Sequence, residues 1–192
     1  YTMRDENNLK EMSSLIRSAI NELISELALS ASIRHTDVYA VSLCGNTTML
    51  HFALGLPARN IALAPFIPAT LSSFLLKPDE LNLSINSSGR IIVLPSVSAY
   101  VGADTVAAVL STGVHKKKNI SLLVDIGTNG EIVLGNNSFI YACSTAAGPA
   151  FEGANIACGT GGIEGAISEV FVTNEGTLRI NTIGNQKAVG IC

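Results

Sequence analysis

Between Leu122 and Leu134 the chain reads LLVDIGTNGEIVL, two apolar runs separated by an aspartate, two glycines, a threonine and an asparagine. These are residue types that handle phosphate. Asp125 brings a carboxylate able to reach a hydrated Mg²⁺, Thr128 a hydroxyl, and the turn from Gly127 to Gly130 a set of backbone N–H groups. Glycine at such a turn lets a phosphate approach closely, and the Asn129-Gly130 pair supplies the positive φ angles of a tight hairpin. An ordinary Asn-Gly turn uses the same residues, so spacing alone leaves both readings open. A second carboxylate stands upstream. Asp104 opens the helical run GADTVAAVLSTG directly before the hairpin and is expected at the same end of the sheet as Asp125. Two carboxylates near one glycine turn hold a metal ion or orient a water. Taken alone, Asp104 is better explained as an acidic residue interacting favourably with a helix N-terminus.

The elements that would position these groups follow from periodicity. From Leu9 to Leu29, residues Leu9, Met12, Ile16, Ile20, Leu23, Ile24 and Leu27 fall at steps of three and four, which predicts a long surface helix with one apolar stripe. Val38 to Gly45 reads as a buried strand. Asn46 to Gly55 reads as a helix that Asn46 or Thr47 caps and Gly55 closes. Four prolines, Pro57, Pro65, Pro68 and Pro78, make the stretch to Gly89 irregular, with short helical pieces expected near Ser72 to Leu76. Arg90 to Pro95 is a second strand, and Gly102 to Val114 a helix ending at Gly113. The HKKK run from His115 to Lys118 is a solvated turn.

Beyond the lysines the period becomes two. ISLLVDIG, EIVLGNN and FIYACSTA are strands joined through TNG and NNS as a meander, and AISEVFVT and TLRINTI read as further strands after a glycine-rich passage. Helices alternating with strands, then a hairpin sheet, predict an α/β fold with a mixed sheet flanked by helices.

With 192 residues, 47% of them hydrophobic and only 14% charged, the chain is long and apolar enough to bury a core. The net charge of −3 comes from dispersed residues and leaves no basic footprint for nucleic acid. No apolar run is long enough for a membrane span, and the charged start YTMRDENNLKEM does not suit a signal peptide, so a soluble cytoplasmic protein is expected. Cys44, Cys143, Cys158 and Cys192 contain no C-x-x-C pair and read as buried free thiols. His51, between apolar neighbours on the short helix, reads as a packed core histidine. CGTGGIEG lacks the G-x-G-x-x-G spacing of a dinucleotide loop, and neither a G-x-S-x-G elbow nor an H-E-x-x-H zinc motif occurs.

At this level of detail the chain resembles a known family. The order of acidic helix, strand, Asp-x-Gly-Thr and strand is similar to the superfamily of acetate and sugar kinases, heat-shock chaperones and actin. GNTTMLHFALGL, APFIPA, LPSVSAYVGADTVAAVL, LLVDIGTNGEIVLG and CSTAAGPAFEGANIACGTGGIEGAI, in that order, resemble the ATP-dependent reductive activators of corrinoid proteins. The resemblance implies an actin-like ATPase domain with a ribonuclease-H-like core, binding ATP and Mg²⁺. It implies that hydrolysis helps deliver a low-potential electron to cobalamin on a corrinoid iron-sulfur or methyltransferase protein. It implies a [2Fe-2S] ferredoxin-like domain in the full-length protein, whose cysteine pattern this chain lacks; a homodimer stays open.

Carried over by position, Asp125, Gly127, Thr128, Asn129 and Gly130 would form the second phosphate loop, with Asp125 on the metal through water, and Asp104 would lie near the attacking water. Gly148 and Glu152, within STAAGPAFEG, match the next signature: the glycine permits close approach, and Glu152 faces the nucleotide or caps a helix. Asn46 and Thr47 match another signature, although a helix cap also accounts for them. No first phosphate loop precedes Tyr1, and the adenosine loop would be expected soon after Cys192. Both ends therefore read as cuts, and the chain as a fragment of an actin-like ATPase domain: residues 1–114 a helix/strand/helix part with its connecting helix at 102–114, residues 119–192 the second phosphate loop and following sheet. The competing expectation is a docking or dimerisation module that binds the corrinoid protein without using ATP.

Overall fold

The computed structural model describes residues 6–127, 129–146, 157–173 and 175–192. The chain forms two compact units, Tyr1–Ser121 with Leu134–Tyr141, and Leu122–Val133 with Ala142–Cys192.

The first unit opens with helix α1 (Glu6–Ser30). Its apolar stripe is only partly the covered face. Ser13 and Ala28 are buried and Ile20 and Ile24 pack on the core, yet Leu23 and Leu27 are 57% and 69% exposed. Each residue turns the helix by about 100°, so those two leucines fall on the flank of the line that actually meets the core. Polar side chains fix that line. Asn21 donates through Nδ2 to the Asn82 carbonyl (2.9 Å) and accepts the Ser84 N–H (2.7 Å), while Arg17 Nε donates to the Ala53 carbonyl (2.9 Å).

Strand β1 (Ala40–Leu43) leads through a short turn into α2 (Thr47–Leu54); α3 (Arg59–Ala62), β2 (Phe74–Leu76), β3 (Arg90–Val93) and α4 (Ala103–Thr112) follow. β3 is central, parallel to β1 with Ala40 opposite Arg90 and antiparallel to β2 with Phe74 opposite Val93. Ile91 and Val93 are fully buried and gather Leu50, Leu81, Leu83, Ile85 and Ala103 into one core. Two expectations change here. β1 is half-exposed, because it is an edge strand paired only with β3. The region near Ser72 to Leu76 holds a strand where helical pieces were expected: an apolar run of three residues carries no decisive period, and pairing with β3 settles it.

The solvated turn at the lysine run holds, with a 3₁₀ turn at Val114–Lys116 and exposed Lys116, Lys117 and Lys118. After it, β4 (Ser121–Ile126), β5 (Asn129–Gly135) and β6 (Ile140–Ala146) form a sheet in chain order. Their connections are too short for a parallel crossover, so the meander runs antiparallel. A further sheet has β7 (Ala166–Val172) at its centre, antiparallel to β8 (Leu178–Thr182) and parallel to β9 (Gly190–Ile191). The fold is mixed α/β, and among the described residues the strands are distributed over three three-stranded sheets. Among the described residues, no helix is long and apolar enough to cross a membrane.

Candidate functional site

In the second unit, Asp125 is the penultimate residue of β4 and is exposed. Gly127 follows the strand, and its N–H donates to the Asn129 carbonyl at 2.9 Å, which closes the tip around position 128. Among the described residues, a Cβ added to Gly127 would meet only that carbonyl, at an ordinary 3.6 Å, and its φ lies outside the left-handed region. Neither the backbone nor the described packing requires glycine there. β5 already begins at Asn129, so Asn129 and Gly130 belong to the strand and not to the loop, with Asn129 exposed and Gly130 buried. Strand pairing extends to these two residues, and the connection is correspondingly shorter than the Thr-Asn-Gly turn read from the sequence. One residue along β5, Glu131 accepts the Ser144 hydroxyl of β6 at 2.9 Å, a cross-strand tie next to the tip. Thr128, Gly148 and Glu152 lie outside the described residues.

In the first unit, two helix N-termini meet. Asn46 caps α2 by accepting the Met49 N–H at 2.9 Å, and Gly55 closes the same helix in the left-handed conformation. The opening N–H groups of α4, from Ala103 and Asp104, both donate to the Gly45 carbonyl, at 3.0 and 3.3 Å. Asp104 Oδ1 accepts the N–H of Thr105 at 2.8 Å. Thr47 is 1% exposed and donates its hydroxyl to the Ser98 carbonyl at 2.7 Å. Asn46 and Asp104 are thus brought together at one junction, and Thr47 is set into the packing behind it. The part this region plays through glycine was not read from the sequence. A Cβ on Gly102 would stand 2.6 Å from Asn46 Cα, 2.7 Å from Asp104 Oδ1 and 2.9 Å from the Gly45 carbonyl. The signal available was that GNTT and GADT each place a glycine directly before a helix start.

His51 is a core residue, 1% exposed. Its Nε2 accepts the Ala69 N–H at 3.1 Å, which leaves Nδ1 to donate to the Thr47 carbonyl at 2.7 Å. The cysteines are free, but the expectation that they are buried fails: Cys44, Cys143 and Cys158 are exposed and Cys192 is half-buried. Cys44 follows an edge strand, and Cys143 lies on a strand at the margin of its sheet, where apolar sequence neighbours do not guarantee cover. Among the described residues no group of three or more histidine, cysteine or acidic side chains could hold a metal.

The class of protein is given by comparison: the mixed α/β chain matches an ASKHA domain over its second part. The family model described as the C-terminal domain of RACo, the ASKHA domain, matches residues 119–192, and that of the RACo middle region matches residues 1–117. The chain belongs to the RACo family. It is 36% identical over all 192 residues to the corrinoid activation enzyme RamQ of Eubacterium limosum, covering 32% of that protein. It is 40% identical over 84 residues, 44% of this chain and 16% of the other, to a Co(II) methylated amine-specific corrinoid protein reductase of Methanosarcina barkeri. A solved reductive activator for corrinoid, iron-sulfur protein superposes with a TM-score of 0.75 at 36% identity, over 100% of this chain and 31% of that one. The chain spans about one third of the length of the relatives matched along its whole length.

Proposed function

We propose that this chain supplies the nucleotide-responsive part of a cytoplasmic reductive activator. In the intact protein ATP binds, and its hydrolysis gates delivery of a low-potential electron to the cobalamin of a corrinoid iron-sulfur or methyltransferase protein. One observation carries the reading: exposed Asp125 stands two residues before Gly127, a glycine that nothing among the described residues demands, so a carboxylate and space for close approach stand together at the tip. Membership of the family supports it.

The roles follow from the chemistry. Asp125 would hold a water of the hydrated Mg²⁺, with backbone N–H groups of the turn after it for phosphate; within the first unit, Asp104 is the acid suited to orienting water. A lone carboxylate suits Mg²⁺, which keeps several waters and takes its remaining ligands from the substrate phosphates. The bound ion neutralises charge developing on the phosphates. Asn46 and Thr47 act one step away, holding the turn beside Asp104. Gly148 and Glu152 complete the phosphate side in this reading. No step of this reading is routed through a [2Fe-2S] group.

A second reading rests on β4. Leu122, Val124 and Ile126 share one face of that strand and are 64%, 50% and 80% exposed, an apolar stripe suited to docking a protein partner. One variant separates the two. Asp125→Ala in the intact protein, with its fold checked by circular dichroism, is expected to slow ATP-dependent reduction of the corrinoid cobalt, followed by visible absorbance, by about a hundredfold. Unchanged rates would contradict the nucleotide reading and favour docking.

A further inference from the structure

Along α1, Ser13 and Ser14 lie three and four residues after Lys10, and Arg17 lies four and three residues after them, which places the four along one side of the helix. That side forms a wall of a cleft of about 750 Å³ in the first unit, closed opposite by Leu54, Gly55 and Pro57 at the end of α2. The volume is that of a small-molecule site. No carboxylate lines the cleft among the described residues, although two cations do.

Neither Lys10 nor Arg17 makes an ion pair among the described residues, where the Arg34–Asp37 pair is the only one recorded. Arg17 spends Nε on the Ala53 carbonyl at the end of α2, which leaves the fork of its two terminal nitrogens for another acceptor. Burial pushes the Arg17 guanidinium below its ordinary value, the sign of a cation that has lost water without gaining an anion. Beside it, Ser13 is 4% exposed and its hydroxyl has no hydrogen-bond partner among the described residues. Both groups crowd Gly55: a Cβ there would stand 3.4 Å from Arg17 Nη2 and 3.6 Å from Ser13 Oγ. Capping α2 accounts for one nitrogen of Arg17 and for nothing else on this wall.

We propose that the cleft between α1 and the end of α2 binds a small phosphate monoester, its oxyanion held by Arg17 and Lys10 and its organic part against Leu54 and Pro57. The planar fork of Arg17 suits two phosphate oxygens, Lys10 adds a point charge at the mouth, and exposed Ser14 adds a hydroxyl. This site belongs to the first unit and makes no use of Asp125 or its turn.

The test is calorimetric titration of the intact protein with inorganic phosphate at constant ionic strength, with sodium chloride as the control. Lys10→Gln removes the outer cation, and Ser14→Glu places a carboxylate on the wall while leaving the Arg17–Ala53 bond in place. Both positions are exposed on a helix, so the melting temperature in chloride should not move. Phosphate affinity is expected to fall by about fivefold in Lys10→Gln and by about tenfold or more in Ser14→Glu. Equal phosphate affinity in the wild type and Ser14→Glu, or no phosphate binding by the wild type, would overturn the proposal.

Discussion

Asn46 Cα occupies the place a side chain on Gly102 would need, with 2.6 Å between it and the missing Cβ. The first turns of α2 and α4 are therefore locked together by backbone against backbone, with Asp104 Oδ1 close to the same place, 2.7 Å from the missing Cβ. Gly102→Ala must push the two helix starts apart. We expect a loss of about 2–3 kcal/mol of stability, read as a lower denaturation midpoint with an unchanged denaturant slope.

Gly127 gives the opposite result for a physical reason. A Cβ there meets an ordinary 3.6 Å contact, so Gly127→Ala should stay within about 0.5 kcal/mol of wild-type stability. Its cost should appear in Mg-ATP affinity instead, as a fall of about tenfold or more from the methyl group blocking approach of a phosphate. Chemical denaturation and nucleotide titration on the same sample separate the two effects.

The buried hydroxyl of Thr47 tests whether that residue is structural. Thr47→Val keeps the shape but strands the Ser98 carbonyl, and about 1–2 kcal/mol should be lost. Thr47→Ser, which keeps the hydroxyl, should recover most of the hydrogen-bond part of that loss. Asn46→Ala removes the α2 cap and should cost about 1 kcal/mol on its own.

His51 joins α2 to the proline-rich stretch through two bonds, one to the Thr47 carbonyl and one from the Ala69 N–H. His51→Phe fills similar space and breaks both. Because Ala69 is left without an acceptor, about 2–3 kcal/mol should be lost, and hydrogen exchange at Ala69 should quicken more than at Ile91 in β3.

Much of this architecture is legible in the sequence because the signals are local. Asn46 and Gly55 bracket α2, Gly113 ends α4, and the period-two runs from Ser121 to Ala146 give three strands, since caps, left-handed closures and alternation depend on neighbours only. What escaped depends on distant partners. β2 is a strand because β3 pairs with it, and Leu23 and Leu27 are exposed because Arg17 and Asn21 set the rotation of α1. Cys44 and Cys143 are exposed because of where their strands lie within a sheet. At the candidate site, Asp125 and Gly127 were visible as residue types, whereas the boundary of β5 at Asn129 and the clasp of Gly102 on Asn46 needed coordinates.

If the tip of the β4–β5 hairpin takes part in a nucleotide site, calorimetric titration of the intact protein with Mg-ATP will read it out. Saturable binding by the wild type is expected to weaken by about tenfold or more in Asp125→Ala, with an unchanged melting temperature in the absence of nucleotide. Equal Mg-ATP affinity in the two proteins would contradict it.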